Sequence, residues 1–383
     1  MNGTVQQVAK SGTDVASSGT VEMVPLESWA KVRADWSRLH ANCGRPTFFL
    51  STLWVDAWIS CFSKQVAAEL LVWRTNDCIL GVAILANARV KRNLVTFQEI
   101  NLNTSGERPY SPMLEHNLLL CTPEHEAGFA QVIADALEQR TWDELKFSGL
   151  QVDCFNLLSE RMGDAVEASR RSSPFVDLQE IASQEKEFLQ SLSSNSRQKI
   201  RRSTRLYEEQ GKLDFDIADD QTQAHAYFDE MVELHQSSWV AKGKPGAFAG
   251  PSIREFHKYI ISNGVANRDY QLIRFSVDGQ TIGVIYNLVF AKHISYYQSG
   301  FVYQADNRIK PGLVCHSLAI QDALDKGFEE YDFLATAGEE SQYKRSLSNT
   351  ERDLVWITAQ RSSFKRTSAD LIQKFRKLLR SDR

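Results

Sequence analysis

Ile273-Arg-Phe-Ser-Val-Asp-Gly-Gln-Thr-Ile-Gly-Val284 reads as strand, tight turn, strand. Apolar and β-branched residues flank Asp278-Gly279, a dipeptide that accepts the positive φ angles of a two-residue hairpin turn. Leu71-Val-Trp-Arg-Thr-Asn-Asp-Cys-Ile-Leu-Gly-Val82 repeats that order, turning at Asn76-Asp77 and carrying Gly81-Val82 at the offset of Gly283-Val284. A second echo follows each hairpin. Asp135-Ala-Leu-Glu-Gln-Arg-Thr-Trp-Asp-Glu-Leu-Lys-Phe147 and Asp322-Ala-Leu-Asp-Lys-Gly-Phe-Glu-Glu-Tyr-Asp-Phe333 both read as an amphipathic helix end running into a buried strand. The two echoes recur at similar long intervals, from Gly81 to Gly283 and from Asp135 to Asp322. Such an interval is too long for a solenoid repeat and suits a duplicated domain.

Working outward, the first copy predicts a strand at 21–26, helices at 27–41 and 51–62, and strands near 69–75, 78–86 and 92–100. A helix at 124–140 and a strand at 143–148 follow. A helix over 195–210 bridges to the second copy, with a strand at 212–218 and helices at 221–240 and 252–263. Strands are then expected at 270–277, 280–291 and 293–302, a helix at 312–326, a strand at 330–335, a short helix near 340–346 and a strand at 353–359. Hairpins followed by a helical crossover predict a mixed α/β sheet. The organisation read from this is a disordered leader over 1–20, a first domain over 21–180, a second over 181–360, and a basic amphipathic helix in 361–383.

The 383 residues amount to two or three ordinary domains of about 100–200 residues. With 43% hydrophobic and 24% charged residues, collagen-like, coiled-coil and mostly disordered chains are excluded. The longest nearly unbroken apolar run, Ile282–Ala291, is about half of what a membrane-spanning helix needs. Net charge is −4, yet Arg361–Arg383 alone carries +6, leaving −10 on the rest. That tail could meet an anionic surface or partner, or be a solvated helix end. The six cysteines are scattered, with no C-x-x-C pair and no histidine at zinc-ligand spacing, so no metal site and no disulfide framework is expected. Without an apolar signal core in the Gly/Ser-rich start, a cytoplasmic setting is expected.

Chemistry concentrates after the third strand of the second copy. His293-Ile-Ser-Tyr-Tyr-Gln-Ser-Gly-Phe-Val302 feeds Asn307-Arg-Ile-Lys-Pro-Gly-Leu-Val314, which opens a helix. Free amides at a helix start attract phosphate, and Arg308 and Lys310 add positive charge beside Gly312, Leu313 and Val314. An ordinary strand–helix connection with proline in the first turn reads the same way. No G-x-x-x-x-G-K-[ST] and no G-x-G-x-x-G occurs.

The stretch from about Ser194 to Ile357 resembles the CelD-type acyltransferases of the GNAT superfamily, relatives of the FemABX peptidyltransferases. The matching pieces are Arg197-Gln-Lys-Ile-Arg-Arg202, the Arg308…Pro311-Gly312 loop and Tyr331-Asp-Phe…Gly338-Glu…Tyr343-Lys344. Phe48-Phe-Leu-Ser-Thr-Leu-Trp-Val-Asp-Ala-Trp58 resembles that family's N-terminal half. The resemblance implies two tandem GNAT-like domains with mixed, mostly antiparallel sheets flanked by helices. It further implies an acyl-CoA co-substrate in a cleft of the second domain, with its pyrophosphate on the Arg308–Val314 loop. That loop departs from the usual [QR]-x-x-G-x-[GA] spacing, so an acyl-carrier protein or aminoacyl-tRNA donor stays open. The first copy has Arg108-Pro-Tyr-Ser-Pro-Met113 at the comparable place, without a glycine opening a helix, and is expected to be structural.

Acyl transfer to an amine needs a base for the ammonium proton and an acid for the leaving thiolate. Tyr343 stands where such enzymes often keep the acid, or is a packed aromatic. Glu339 or Glu340 would serve as base, or would cap and solvate the helix. Trp239 and Phe248 would line the acceptor side from the glycine-rich loop before Gly250, with Asp332 and Lys344 as further substrate contacts. His235 and His316 are each a lone histidine on an expected helix and read as packed or surface residues. Arg197, Arg201 and Arg205 form a basic stripe that could face a phosphorylated donor or only water. The expected function is acyl transfer to an amine or hydroxyl of a small-molecule, glycan or peptide acceptor, in exopolysaccharide or cell-envelope metabolism. The alternatives are an aminoacyl-tRNA-dependent peptidyltransferase and a non-catalytic assembly factor.

Overall fold

The computed structural model describes residues 19–76, 78–92, 95–106, 111–162, 166–335 and 340–361, with backbone alone at 166–168, 340 and 341. They form two compact units, one of residues up to Arg170 together with those from Leu354, the other Arg171–Asp353. The leader through Ser18, the turn residue Asp77, Arg108–Tyr110, Gly338, Glu339 and the helix expected at 364–380 lie outside the described residues. Thr20, expected in the leader, already belongs to a strand.

The first unit contains β1 (Thr20–Pro25), α1 (Trp29–Asn42), α2 (Thr52–Phe62), β2 (Ala67–Arg74), β3 (Ile79–Arg92), β4 (Val95–Leu102), the two-residue β5 (Leu120–Cys121), α3 (Glu126–Glu138), β6 (Glu144–Gln151) and α4 (Val152–Met162). Strands β1 to β4 pair antiparallel in sequence order, and β4 meets β6 in parallel over only Glu99↔Glu144, Ile100↔Leu145 and Asn101↔Lys146. Beyond those pairs the two strands part, and the chain itself fills the wedge. Asn117 bridges Leu150 in parallel, its N–H donating to Gly149 C=O at 2.8 Å and its C=O accepting from Gln151 N–H at 3.0 Å. The Asn117 side chain donates to the carbonyls of Leu102 and Ser148, both at 3.2 Å, and accepts from Asn103 at 3.0 Å. Gly149 permits this close passage. It sits at φ +62°, and a Cβ there would stand 2.5 Å from Leu114 C=O.

The chain then runs through β7 (Val166–Asp177), α5 (Leu178–Ser183), α6 (Phe188–Ser191), α7 (Ser194–Glu208), β8 (Leu213–Ile217), α8 (Gln221–Ala241), α9 (Pro251–Gly264), β9 (Tyr270–Val277), β10 (Gln280–Phe290), β11 (His293–Phe301), α10 (Pro311–Asp325), β12 (Glu330–Asp332), α11 (Glu340–Arg345) and β13 (Thr350–Gln360). The expected hairpin turns at Asp278-Gly279, with φ +46° and +78°. Strands β8 to β11 pair antiparallel in order, β11 meets β12 in parallel, and β12 pairs antiparallel with β7. Strand β13, late in the chain, pairs with β6 of the first unit through Leu354–Gln360.

Helices start where side-chain acceptors cap them: Ser193 takes the Ser196 N–H of α7 at 3.2 Å, and Asp220 takes the Gln223 N–H of α8 at 2.8 Å. The apolar stripe of α10, including Val314, Cys315, Ala319, Ile320 and Ala323, packs with Ile273, Phe275, Ile285 and Tyr331 of the sheet. The larger side chains of the stripe, Val314 and Ile320, each contribute about 1.5–3 kcal/mol, and the alanines about 1 kcal/mol or less. On the other face β11 comes so near α8 that a Cβ on Gly300 would lie 2.5 Å from Met231 C=O.

Candidate active site

Two irregularities in β11 open a cleft in the second unit. The parallel pairing with β12 covers only His293↔Glu330, Ile294↔Tyr331 and Ser295↔Asp332, so β12 leaves the edge of Tyr296–Phe301 open. Against β10 the register slips, Tyr286 facing Gln298 while Asn287 faces Tyr296, which leaves Tyr297 as the extra residue of a bulge. A bulge resets the alternation of side chains. Tyr296 and Phe301, on opposite faces in a regular strand, therefore both reach the ring of His316, at centroid distances of 4.5 and 6.1 Å.

His316, on α10, is fully buried, and Tyr331, Phe333 and Tyr343 complete its aromatic cage at 6.0, 5.2 and 6.0 Å. Its Nε2 lies 3.2 Å from the Tyr343 hydroxyl and its Nδ1 3.1 Å from the Tyr331 hydroxyl. Burial, with a smaller push from the Lys344 charge, lowers its pKa to about 3, so the imidazole is neutral at physiological pH. Burial also raises the Tyr343 hydroxyl well above the ordinary tyrosine range, helped by Tyr296, and keeps its proton on. Lys344 is buried, donates to Phe333 C=O at 2.7 Å and stands 5.1 Å over the Tyr296 ring. It shapes the cleft wall from within.

At the mouth, the loop before α10 has fewer open amides than its sequence suggested. Arg308 N–H donates to the Asp306 carboxylate, Lys310 N–H to Ser203 Oγ at 2.8 Å, and both Leu313 and Val314 N–H to Lys310 C=O. Pro311 has no N–H, which leaves Gly312 as the residue whose amide can meet a phosphate. The Arg308 guanidinium grips the Asp306 carboxylate through Nε and Nη2. Its charge is thus already paired, and among the described residues of the loop the exposed Lys310 offers the remaining cation. The Ser203 bond ties α7, with its exposed Arg201, Arg202 and Arg205, to this loop.

Other expected contacts stand elsewhere. Phe248 is fully buried among Phe228, His235 and His257, so it supports the glycine-rich loop before Gly250 from beneath and lines no open surface. Trp239 is half-buried beneath the amines of Lys242 and Lys244, 5.7 and 5.2 Å from its ring. His235 pins that loop: its Nε2 accepts the Ala247 N–H at 3.2 Å, so its Nδ1–H donates to Ser299 C=O at 3.1 Å. Asp332 is turned to β7, where its Oδ1 accepts from Ser173 Oγ and from Leu334 N–H, both at 2.7 Å. It faces away from Tyr331 and is a fold contact. Glu339 lies outside the described residues, as does the side chain of Glu340. The residue that sequence reasoning set aside is His316. One signal could have found it: it follows Gly312 by four positions, on the same helix face as the loop glycine.

Among the described residues no group of His, Cys, Asp and Glu could hold a metal ion, and no helix is long and apolar enough to cross a membrane.

Residues 194–345 match the family model described as an acetyltransferase (GNAT) domain. No curated protein matches the chain. The crystal structure of FemX is similar in fold, with a TM-score of 0.56 at 10% identity, covering 85% of this chain and 95% of that one. A conserved protein of unknown function from Bacteroides thetaiotaomicron has a TM-score of 0.53 at 9% identity, covering 86% and 97%. The matched segment holds β8 to β12, the open edge of β11, the α10 loop and Tyr343. The family match covers about two fifths of the chain and gives the segment 194–345 as similar to a GNAT acetyltransferase domain.

Proposed function

We propose that the second unit transfers an acyl group from acyl-CoA to an amine, with the thioester in the wedge between β11 and β12. The observation that carries this reading is the open edge of β11 at Tyr296–Phe301, facing a tyrosine hydroxyl that burial keeps protonated. The amine nitrogen attacks the thioester carbon, the C–N bond forms and the C–S bond breaks. Tyr343 gives its proton to the departing sulfur, and the surplus proton of the acceptor nitrogen restores the tyrosine. The sum is amide plus free thiol. The Gly312 amide and Lys310 would meet the donor's phosphates, and the loop carrying Trp239, Lys242 and Lys244 would flank the acceptor. The first unit is structural in this reading, because Leu114–Leu119 fills the place that a donor would need. Acceptors of exopolysaccharide or cell-envelope metabolism fit the resemblance noted above.

The test is thiol release from acetyl-CoA and longer acyl-CoA in the presence of a panel of amines and amino sugars, with native mass spectrometry of the purified protein. A retained acyl-CoA and acceptor-dependent thiol release support the reading. No binding and no release across the panel refutes it. One feature favours a second donor class: the exposed arginines of α7 stand beside the loop, as a carrier protein or aminoacyl-tRNA would require. Co-purified tRNA, with no affinity for CoA, would select it.

A further inference from the structure

Behind Tyr343 a line of hydrogen bonds, buried at its centre, crosses the sheet. Asn287, on the central strand β10 and fully buried, donates its Nδ2 to Gln271 Oε1 on β9 at 3.2 Å. Its Oδ1 accepts the Tyr331 hydroxyl at 3.3 Å. A carboxamide has one donating end and one accepting end, and in this orientation the donating end meets Gln271 and the accepting end meets Tyr331. Tyr331 has a single proton, and that proton is on Asn287. Its oxygen therefore accepts from His316 Nδ1–H. A neutral imidazole carries only one N–H, so Nε2 presents a lone pair, and the Tyr343 hydroxyl at 3.2 Å is its donor. Every bond points the same way, from Tyr343 inward to Gln271.

Resting on the proposed role of Tyr343, we propose that Asn287 and His316 are positioning residues: Asn287, through Tyr331, selects the Nδ1–H tautomer of His316, and that tautomer holds the Tyr343 hydroxyl with a lone pair toward the cleft. The hydroxyl oxygen then stands fixed where the sulfur departs. As the C–S bond breaks, the O–H turns from Nε2 to the sulfur and gives up its proton. The lone pair facing the acceptor nitrogen receives that nitrogen's surplus proton, which restores the tyrosine. The opposite tautomer would set Nε2–H against the tyrosine oxygen and occupy a lone pair. The other groups that meet His316 among the described residues are the rings of Tyr296, Phe301 and Phe333, which offer its nitrogens no acceptor. The Tyr296 hydroxyl bonds Ser299 Oγ at 2.6 Å and also meets the Tyr343 hydroxyl, while the Lys344 amine donates to Phe333 C=O. Buried chains of this kind act as units, so the effect of Asn287 reaches Tyr343 without contact.

The experiment uses the full chain. Imidazole ¹⁵N shifts of labelled protein report the His316 tautomer, and steady-state kinetics with acyl-CoA report turnover. Wild type is expected to show one neutral Nδ1–H form. Asn287→Leu should convert His316 to a tautomer mixture and lower kcat about tenfold with KM for the donor unchanged. The same substitution placed on Tyr343→Phe should cost nothing further. His316→Gln, which puts a polar atom where Nε2 stood, should retain more turnover than His316→Leu at equal stability, and this pair serves if Asn287→Leu does not fold. An unchanged tautomer or unchanged kcat in folded Asn287→Leu overturns the proposal, as does an equal loss on both tyrosine backgrounds. If Tyr343→Phe alone keeps full turnover, it is the role of Tyr343 that fails, and the tautomer measurement still decides whether Asn287 sets His316.

Discussion

Tyr343→Phe removes one oxygen and keeps the ring that packs against the His316 cage. The stability effect is small by construction. One neutral hydrogen bond of 3.2 Å is lost, worth about 0.5–1.5 kcal/mol, and His316 Nε2 is left as an acceptor without a donor. In a unit of this size about 1 kcal/mol lowers Tm by roughly 2–4 °C. The kinetic effect is large by contrast. A positioned proton donor contributes about 10²–10⁴-fold, and donation to the sulfur exists only as the C–S bond breaks. The loss should therefore fall on kcat, with KM for acyl-CoA nearly unchanged. The pH profile carries a sign of its own. Burial lifts the Tyr343 pKa above the ordinary range, so the acid form persists through pH 9 and wild-type kcat should not decline there by loss of this proton. The assay is thiol release against donor concentration, beside thermal unfolding of both proteins. A folded phenylalanine variant with wild-type kcat would refute the acid role outright, and a rise in KM at constant kcat would recast Tyr343 as a donor-binding residue.

Three further outcomes follow from named contacts. Gly312→Asp sets a carboxylate at the open amide and a Cβ 3.3 Å from the Phe301 ring, so isothermal titration should show CoA affinity falling at least about 100-fold, more than one repelled charge in water gives; unchanged affinity would remove the loop from the site. Asn117→Ala strips the side chain's bonds to Leu102, Ser148 and Asn103 from the filled wedge of the first unit. It should destabilise that unit by about 2–4 kcal/mol in urea while leaving donor KM unchanged; a shifted KM would contradict a structural first unit. His257 is fully buried with its pKa lowered to about 3 by desolvation. The unfolded chain then binds more protons below pH 6.5, so stability falls as pH drops from 6.5 toward 3, by roughly 2–3 kcal/mol from this residue between pH 7 and 4.5. His257→Phe should reduce that acid sensitivity by the same amount in denaturant titrations at the two pH values, and an unaltered slope would rule out His257 as a source.

Several elements were legible because their causes are local. The bounds of β9, β10 and β11 follow from alternating apolar residues and from Asp278-Gly279, whose turn geometry depends on the two residues alone. The caps at Ser193 and Asp220 lie in sequence beside the helices they start. The recurring order of hairpin, helix and strand was legible in each half too. β7 was not. It carries Ser172, Ser173 and Pro174 with little apolar surface of its own, and it is a strand because β12 and the buried Asp332 hold it. β13 reads as a strand anywhere, yet which sheet takes it depends on β6, far earlier in the chain.

The site divides along the same line. Sequence singled out the loop before α10, Tyr343 and the resemblance to GNAT acyltransferases, because each rests on residues close together in the chain. It could not show that Arg308 closes on Asp306, that Phe248 is buried, or that Asn117 fills the first wedge. Above all it could not join His316 to Tyr343, well beyond it on another helix, or to Asn287, well before it on the central strand. A histidine's tautomer and pKa are set by what surrounds the ring in space. Only the folded sheet, with α10 laid across it, supplies the burial and the directed hydrogen bonds that decide them.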